Sequence, residues 1–76
     1  MDYRESVVAA ARELGFIDPA GKLVPLDSLM IVDLIIALED KTGVEVPADA
    51  VSEQTFASIE TITAMLESTA GASATA

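Results

Sequence analysis

Apolar positions along this chain fall into segments of helical period, separated by clusters of Gly, Pro, Asp and Ser. The first segment covers residues 2–14. Tyr3, Val7, Ala10 and Leu14 recur at the spacing of one helix face, and Val8 and Ala11 widen the stripe. Asp2 and Glu5 in the first turn and Arg12 in the last suit the helix dipole. Gly15 is placed to end the helix in the left-handed conformation. Residues 15–26 carry Pro19, Gly21 and Pro25, which break any regular element, and Asp18-Pro19-Ala20-Gly21 reads as a turn. The same loop holds Phe16, Ile17, Leu23, Val24 and Leu26, so it is expected to pack across a helical bundle.

The second segment, residues 28–42, is the most apolar in the chain and ends at Gly43. Asp27 or Ser28 is its natural N-cap, since either side-chain oxygen can accept from the free N–H groups of the first turn. Ile31, Leu34, Ile35 and Leu38 follow the spacing of a core-facing stripe. Leu29, Val32 and Ile36 form a second stripe on roughly the opposite side, with Asp33 and Asp40 beside it and Glu39 at its flank. One helix cannot bury two opposite faces in a bundle this small. The second stripe is therefore expected to stay open as a docking surface rimmed by acids, unless a loop covers it.

Beyond Gly43 the signals shorten. Val44 to Val46 alternates too briefly for a strand and Pro47 halts it. Ser52-Glu53-Gln54-Thr55-Phe56 predicts a short third helix capped by Ser52, with Phe56 as its anchor in the core. Ser58 caps a predicted fourth helix from Ile59 to about Glu67, buried through Ile59, Ile62, Met65 and Leu66. Residues 68–76 are small and polar and are expected to form a disordered tail. The fold class expected is all-α, a four-helix bundle with a short third helix and a long loop between the first two.

Composition narrows what such a domain can do. With 76 residues there is room for one small domain with a thin core. The chain has neither Cys nor His, which removes disulfides, thiolate metal sites, the commonest metal ligand and the usual general base. Thirteen acids against four bases give a net charge of −9, which would repel phosphate backbones and argues against nucleic acid as a partner. An apolar fraction of 51% nonetheless argues for a packed core rather than disorder. No apolar run approaches the ~18 residues of a membrane span. Met1-Asp2-Tyr3-Arg4-Glu5 lacks the basic start of a signal peptide, so a cytoplasmic location without membrane contact is expected. Between Asp27 and Glu53 the acids are dense and Lys41 is the single base, a field suited to steering a basic partner.

No constellation supports catalysis or a resident metal. There is no Gly-x-Ser-x-Gly turn, no Gly-rich phosphate loop and no calcium-loop spacing. No His or nearby base could activate Ser28 as a nucleophile. Ser28 reads either as a plain helix cap or as a residue acted upon by another enzyme, which would add charge where the helix dipole favours it.

Leu26-Asp27-Ser28-Leu29, followed by Val32-Asp33-Leu34, Ala37-Leu38-Glu39-Asp40 and Gly43-Val44-Glu45-Val46-Pro47, resembles the acyl carrier protein family. Ser52 to Ile59 is similar to the third helix and fourth-helix cap of carrier domains in polyketide and nonribosomal peptide assembly lines. The likeness covers about residues 2–67. Two departures stand near the serine: Pro25 and Leu26 where members usually carry Gly, and Met30 where an acidic or polar residue is common. Lys41 interrupts the acidic density some fatty-acid carriers show there.

The resemblance implies an acyl-carrier-like fold, with residues 1–67 as the carrier domain. It implies that Ser28 carries a covalent 4′-phosphopantetheine arm derived from coenzyme A, with Asp27 flanking it for recognition by the modifying enzyme. The thiol of the arm would hold acyl groups as thioesters. Leu29, Met30, Val32, Asp33, Ile36, Glu39 and Asp40 would face partner enzymes. Those partners would be a phosphopantetheinyl transferase, an acyl- or aminoacyl-loading enzyme, and synthases or transferases with basic docking patches. The expected protein is a discrete, monomeric acyl carrier, not an enzyme, of polyketide, other secondary-metabolite or fatty-acid biosynthesis. An aminoacyl or peptidyl carrier and a cofactor-free helical adaptor are the alternatives. A core lined by Ile31, Ile35, Phe56, Ile59 and Ile62 could shelter an acyl chain.

Overall fold

The computed structural model describes residues 3–74 and the side-chain surroundings of residues 3–70. The first helix, α1, spans Tyr3–Glu13 and buries Val7, Ala10 and Ala11. Asp2, expected in its first turn, lies outside the described residues. Gly15 takes φ +79°, and its N–H donates to the Arg12 carbonyl at 3.1 Å while the Phe16 N–H donates to the Ala11 carbonyl at 2.8 Å. This paired closure brings Phe16 against Ala11, and both are buried. It also corrects the predicted stripe. Leu14 falls past the helical turns, at the point where the chain reverses, and is 37% exposed.

The connection from α1 runs back over the core. The Asp18 carboxylate accepts from the Ala20 and Lys22 amides, both at 2.9 Å, which sets a tight turn through Gly21 at φ +83°. Ile17 and Leu23 then pair in a single antiparallel bridge, and Val24 donates to the Phe16 carbonyl at 2.8 Å. Ile17, Leu23, Val24 and Leu26 lie half-buried against the core, so the loop acts as a cover.

The second helix, α2, spans Ser28–Thr42 and buries Ile31, Leu34 and Leu38, while Ile35 is half-buried. Its end is a left-handed Gly43, φ +71°, whose N–H reaches the Glu39 carbonyl at 2.9 Å. The chain is then stitched onto the last turn of α2. Thr42 Oγ1 donates to the Leu38 carbonyl at 2.7 Å and accepts from the Val44 amide at 3.1 Å. The Val46 amide donates to Glu39 Oε2 at 3.0 Å. A single 3₁₀ turn, Ala48–Ala50, follows Pro47.

The predicted short helix over residues 52–56 is corrected: these residues form consecutive turns instead. Ser52 does cap, its Oγ accepting from the Thr55 amide at 3.1 Å, and the Phe56 amide reaches the Ser52 carbonyl at 3.1 Å. One such turn fixes the backbone for little hydrogen bonding, and Phe56, 2% exposed, holds it in place. Among the described residues the fold therefore has three α-helices, not four, and no strand.

The third α-helix, α3, spans Ile59–Ala74. Ser58 and Thr61 cap it reciprocally: Ser58 Oγ accepts from the Thr61 amide at 3.1 Å, and Thr61 Oγ1 from the Ser58 amide at 3.0 Å. Ile59, Ile62 and Leu66 are buried and Met65 packs against them. The tail expected from Ser68 onward is helical through Ala74, and only residues 75–76 lie outside the description. Alanine is the best helix former, and extending a formed helix costs little, so a segment without apolar periodicity still continues it.

Helix α1 packs against both α2 and α3. Each fully buried large side chain, such as Leu34, Leu38, Ile62 and Leu66, contributes roughly 1.5–3 kcal/mol through removal from water. Arg4 pairs with Glu60 at 3.1 Å, and Lys41 pairs with Glu13. The side chains of Arg4, Glu60 and Glu13 are largely exposed and that of Lys41 is half-buried, and each pair is worth at most about 1 kcal/mol.

Candidate functional site

The start of α2 decides between the two cap candidates. Asp27 sits in extended backbone, φ −90° and ψ 179°, and its Oδ1 accepts from the Met30 amide at 2.9 Å. Asp27 is the N-cap, and its carbonyl takes the first helical bond, from Ile31 at 2.9 Å. Ser28 is thereby the first residue inside the helix. It is exposed, and no hydrogen bond among the described residues engages its hydroxyl. The amides of this first turn have no intrahelical acceptor, so the positive end of the dipole surrounds an open hydroxyl.

The surface next to Ser28 is apolar. Leu29 is 78% exposed, Val32 49% and Ile36 61%. These fractions put the second stripe of α2 in solvent: within the described residues no loop closes over it. The stripe covers about 10 Å along the helix at 1.5 Å per residue. Asp33 and Asp40 are exposed beside it. Lys41 is turned to Glu13 at the end of α1, so the base of this helix is neutralised and the open face stays acidic.

Two of the residues singled out by sequence stand apart from that face. Met30 is half-buried and packs against the core. Glu39 is half-buried too, and one of its oxygens is taken by the Val46 amide. Of the residues expected to line an acyl shelter, Ile31, Phe56, Ile59 and Ile62 lie in the packed core and Ile35 is half-buried. Surface depressions reach three of them: one of about 240 Å³ runs from Ser28 to Ile31, one of about 380 Å³ from Pro25 and Leu26 to Phe56, and one of about 450 Å³ from Arg4 and Leu23 to Ile59.

Sequence reasoning missed Val51, which is 43% exposed and lines the smaller depression together with Ser28, Val32 and Glu53. An isolated valine outside any periodic run gives no signal of where it points. It missed the Glu39 brace as well, because nothing in a glutamate announces an acceptor for an amide seven residues on.

Among the described residues no group of acids is arranged to hold a metal ion, and no helix is long and apolar enough to cross a membrane. A family model described as a phosphopantetheine attachment site matches residues 24–66. Neither a curated protein nor a solved structure matches the chain significantly.

Proposed function

The chain belongs to the phosphopantetheine attachment-site family, and from that premise we propose that Ser28 is the residue that holds the prosthetic arm. Members of this family are carriers that hold 4′-phosphopantetheine covalently, and they are in general not catalysts. One observation supports Ser28 above every other hydroxyl. Within residues 24–66 the chain has Ser28, Thr42, Ser52, Thr55, Ser58, Thr61 and Thr63. Thr42, Ser52, Thr55, Ser58, Thr61 and Thr63 are each tied into a cap or a helix carbonyl. Ser28 alone among them is exposed with its hydroxyl unengaged in the described residues.

The residues present fit the group. A phosphodiester at Ser28 would place its anion against the unfilled amides and positive dipole of α2. When bound, the arm supplies the terminal thiol, which this Cys-free chain lacks, and with it the capacity to hold an acyl group as a thioester. The chain's own part is placement. Asp27 fixes the first turn, so the Ser28 oxygen leaves the surface at a defined point. Leu29, Val32 and Ile36, with Asp33 and Asp40 beside them, offer a partner enzyme an apolar strip and an acidic rim directly next to that point. A partner with a basic patch docked there brings its own site to the arm, and tethering raises the local concentration of the cargo.

The cargo class proposed is acyl, in polyketide, other secondary-metabolite or fatty-acid synthesis, acting in the cytoplasm as a monomer. Asp rather than His before the serine supports acyl over aminoacyl cargo. The test is intact-protein mass spectrometry after incubation with coenzyme A, magnesium and a broad-specificity phosphopantetheinyl transferase. One added arm on the wild type and none on Ser28→Ala is the expected result. An arm on both variants would move the attachment to another hydroxyl, and an arm on neither would leave the open strip as the surface of an adaptor. Offering the loaded protein acyl and aminoacyl donors with their loading enzymes then separates the two carrier types.

A further inference from the structure

The smaller depression beside Ser28 has two walls of different origin. One is α2 itself, through Ser28, Ile31 and Val32; the other is Val51, Ser52 and Glu53, which follow the 3₁₀ turn. The second wall belongs to no α-helix: buried Phe56 anchors its far side through the Ser52 turn, and its near side depends on the segment that leads from α2. The segment leading to it, Val44 to Val46, is attached to the end of α2 through Thr42 and Glu39. The Glu39 bond carries the register furthest along the chain, joining a side chain of α2 to an amide seven residues later at 3.0 Å. Pro47 follows directly and has no N–H, so it adds no bond of its own from the next amide position.

From this we propose that Glu39 is a positioning residue for the attachment site: by holding the Val46 amide it sets the Val51–Glu53 wall against Ser28, and its role is reach and acceptance rather than charge offered to a partner. Three observations converge on this. Glu39 is half-buried, whereas Asp33 and Asp40 on the same helix are exposed. The braced residue Val46, and Val44 two positions before it, pack against the core, so the segment has a defined seat. The wall it leads to shares a cavity with Ser28. A partner's cation can be met by Asp33 and Asp40 at no cost to the loop, while Glu39 is half-buried and has one of its two oxygens already committed to the Val46 amide.

The proposal rests on the reading of Ser28 given above, and the experiment separates the two. Glu39→Gln keeps the length and an acceptor oxygen but removes the charge; Glu39→Ala removes both. Amide hydrogen exchange at Val46 is followed by NMR, with the Gly43 amide as internal control because its acceptor is the Glu39 backbone carbonyl. The rate of phosphopantetheine addition by the transferase is followed in parallel. Glu39→Ala should lose about tenfold of Val46 protection, the worth of one hydrogen bond, with Gly43 unchanged. Its arm addition should slow at least several-fold. Glu39→Gln should hold Val46 protection within about threefold of wild type, a neutral acceptor being the weaker one, and load normally. Unchanged Val46 protection in Glu39→Ala overturns the brace. Slow loading in Glu39→Gln with Val46 still protected overturns it too, and assigns Glu39 to partner contact. If Glu39→Ala does not fold, Glu39→Gln decides alone by the same two readouts. A wild type that accepts no arm sinks the reading of Ser28, while Val46 exchange still reports on the brace.

Discussion

Two leucines on α2 offer a matched perturbation. Leu34 is fully buried and Leu29 is 78% exposed; Leu29 is the second residue of the helix and Leu34 an interior one, and Leu→Ala changes intrinsic helix propensity by only about 0.2 kcal/mol at either. Any difference in stability between Leu34→Ala and Leu29→Ala therefore reads burial. For Leu34 the lost transfer energy and the residual cavity together cost about 3 kcal/mol. A domain of this length has roughly 4–11 kcal/mol in total at ~0.05–0.15 kcal/mol per residue, so the change removes a large share of it. At ~4–8 °C per kcal/mol for a small domain, Tm should fall by about 12–24 °C. Leu29→Ala should stay within about 0.5 kcal/mol of wild type. Urea unfolding followed by far-ultraviolet circular dichroism gives both values, with equal m-values confirming that only stability has changed. In a docking assay against a partner enzyme the order should invert, with Leu29→Ala the more damaging on a per-folded-molecule basis. A Leu29→Ala variant as unstable as Leu34→Ala would refute the reasoning, because it would mean that the outer stripe is covered in solution.

Other substitutions test the ends and the charges. Asp27→Ala should cost about 1 kcal/mol through loss of the bond to Met30, whereas Asp27→Asn, which can still accept it, should cost much less; thermal melts compare them. Gly43→Ala forces a Cβ into the left-handed region at φ +71° and should destabilise by about 1–2 kcal/mol, although no atom lies within contact of the added methyl group. Lys41→Met should change stability by less than about 1 kcal/mol, since the pair with Glu13 is a surface one. Raising ionic strength from about 0.01 M to 0.15 M shortens the screening length from roughly 30 Å to 8 Å and should raise Tm, because a chain of net charge −9 repels itself. A fall in Tm would mean that specific ion pairs outweigh that repulsion.

The parts of this fold that sequence reveals are those set by local chemistry. Gly15 and Gly43 ended their helices because a left-handed residue is needed there and glycine takes it most easily. The two stripes of α2 separated cleanly because period alone places Leu34 and Leu29 on opposite sides, and the burial follows. Segments decided by competition between weak terms were less legible. Residues 52–56 carry a cap and an aromatic anchor, which suffice for a turn and not for a helix, and no local pattern tells one from the other. Leu14 obeyed the stripe but lost to the closure at Gly15, a case of helix termination overriding periodicity. Residues 68–74 looked like a tail because they lack large apolar groups, but small residues following a well-anchored helix continue it. At the site, Asp27 and Ser28 were equal candidates for the cap, and only the geometry gave the bond to Asp27 and left Ser28 open.

That division of labour between neighbours bears on how so small a domain presents a reactive arm. A serine that served as the N-cap would have its oxygen committed to an amide of the next turn, and modifying it would cost the helix that bond. With the aspartate as cap, the helix start is held by a side chain that modification does not touch, and the serine one position on contributes nothing to stability. Ser28→Ala should accordingly leave the urea midpoint almost unchanged while removing the proposed attachment point. The same separation recurs along α2. Ile31, Leu34 and Leu38 hold the helix to the core, Leu29, Val32 and Ile36 remain available, and Glu39 turns inward to the following loop. Stability and presentation thus rest on different residues of one helix, so that a partner can compete for the outer face without loosening the inner one.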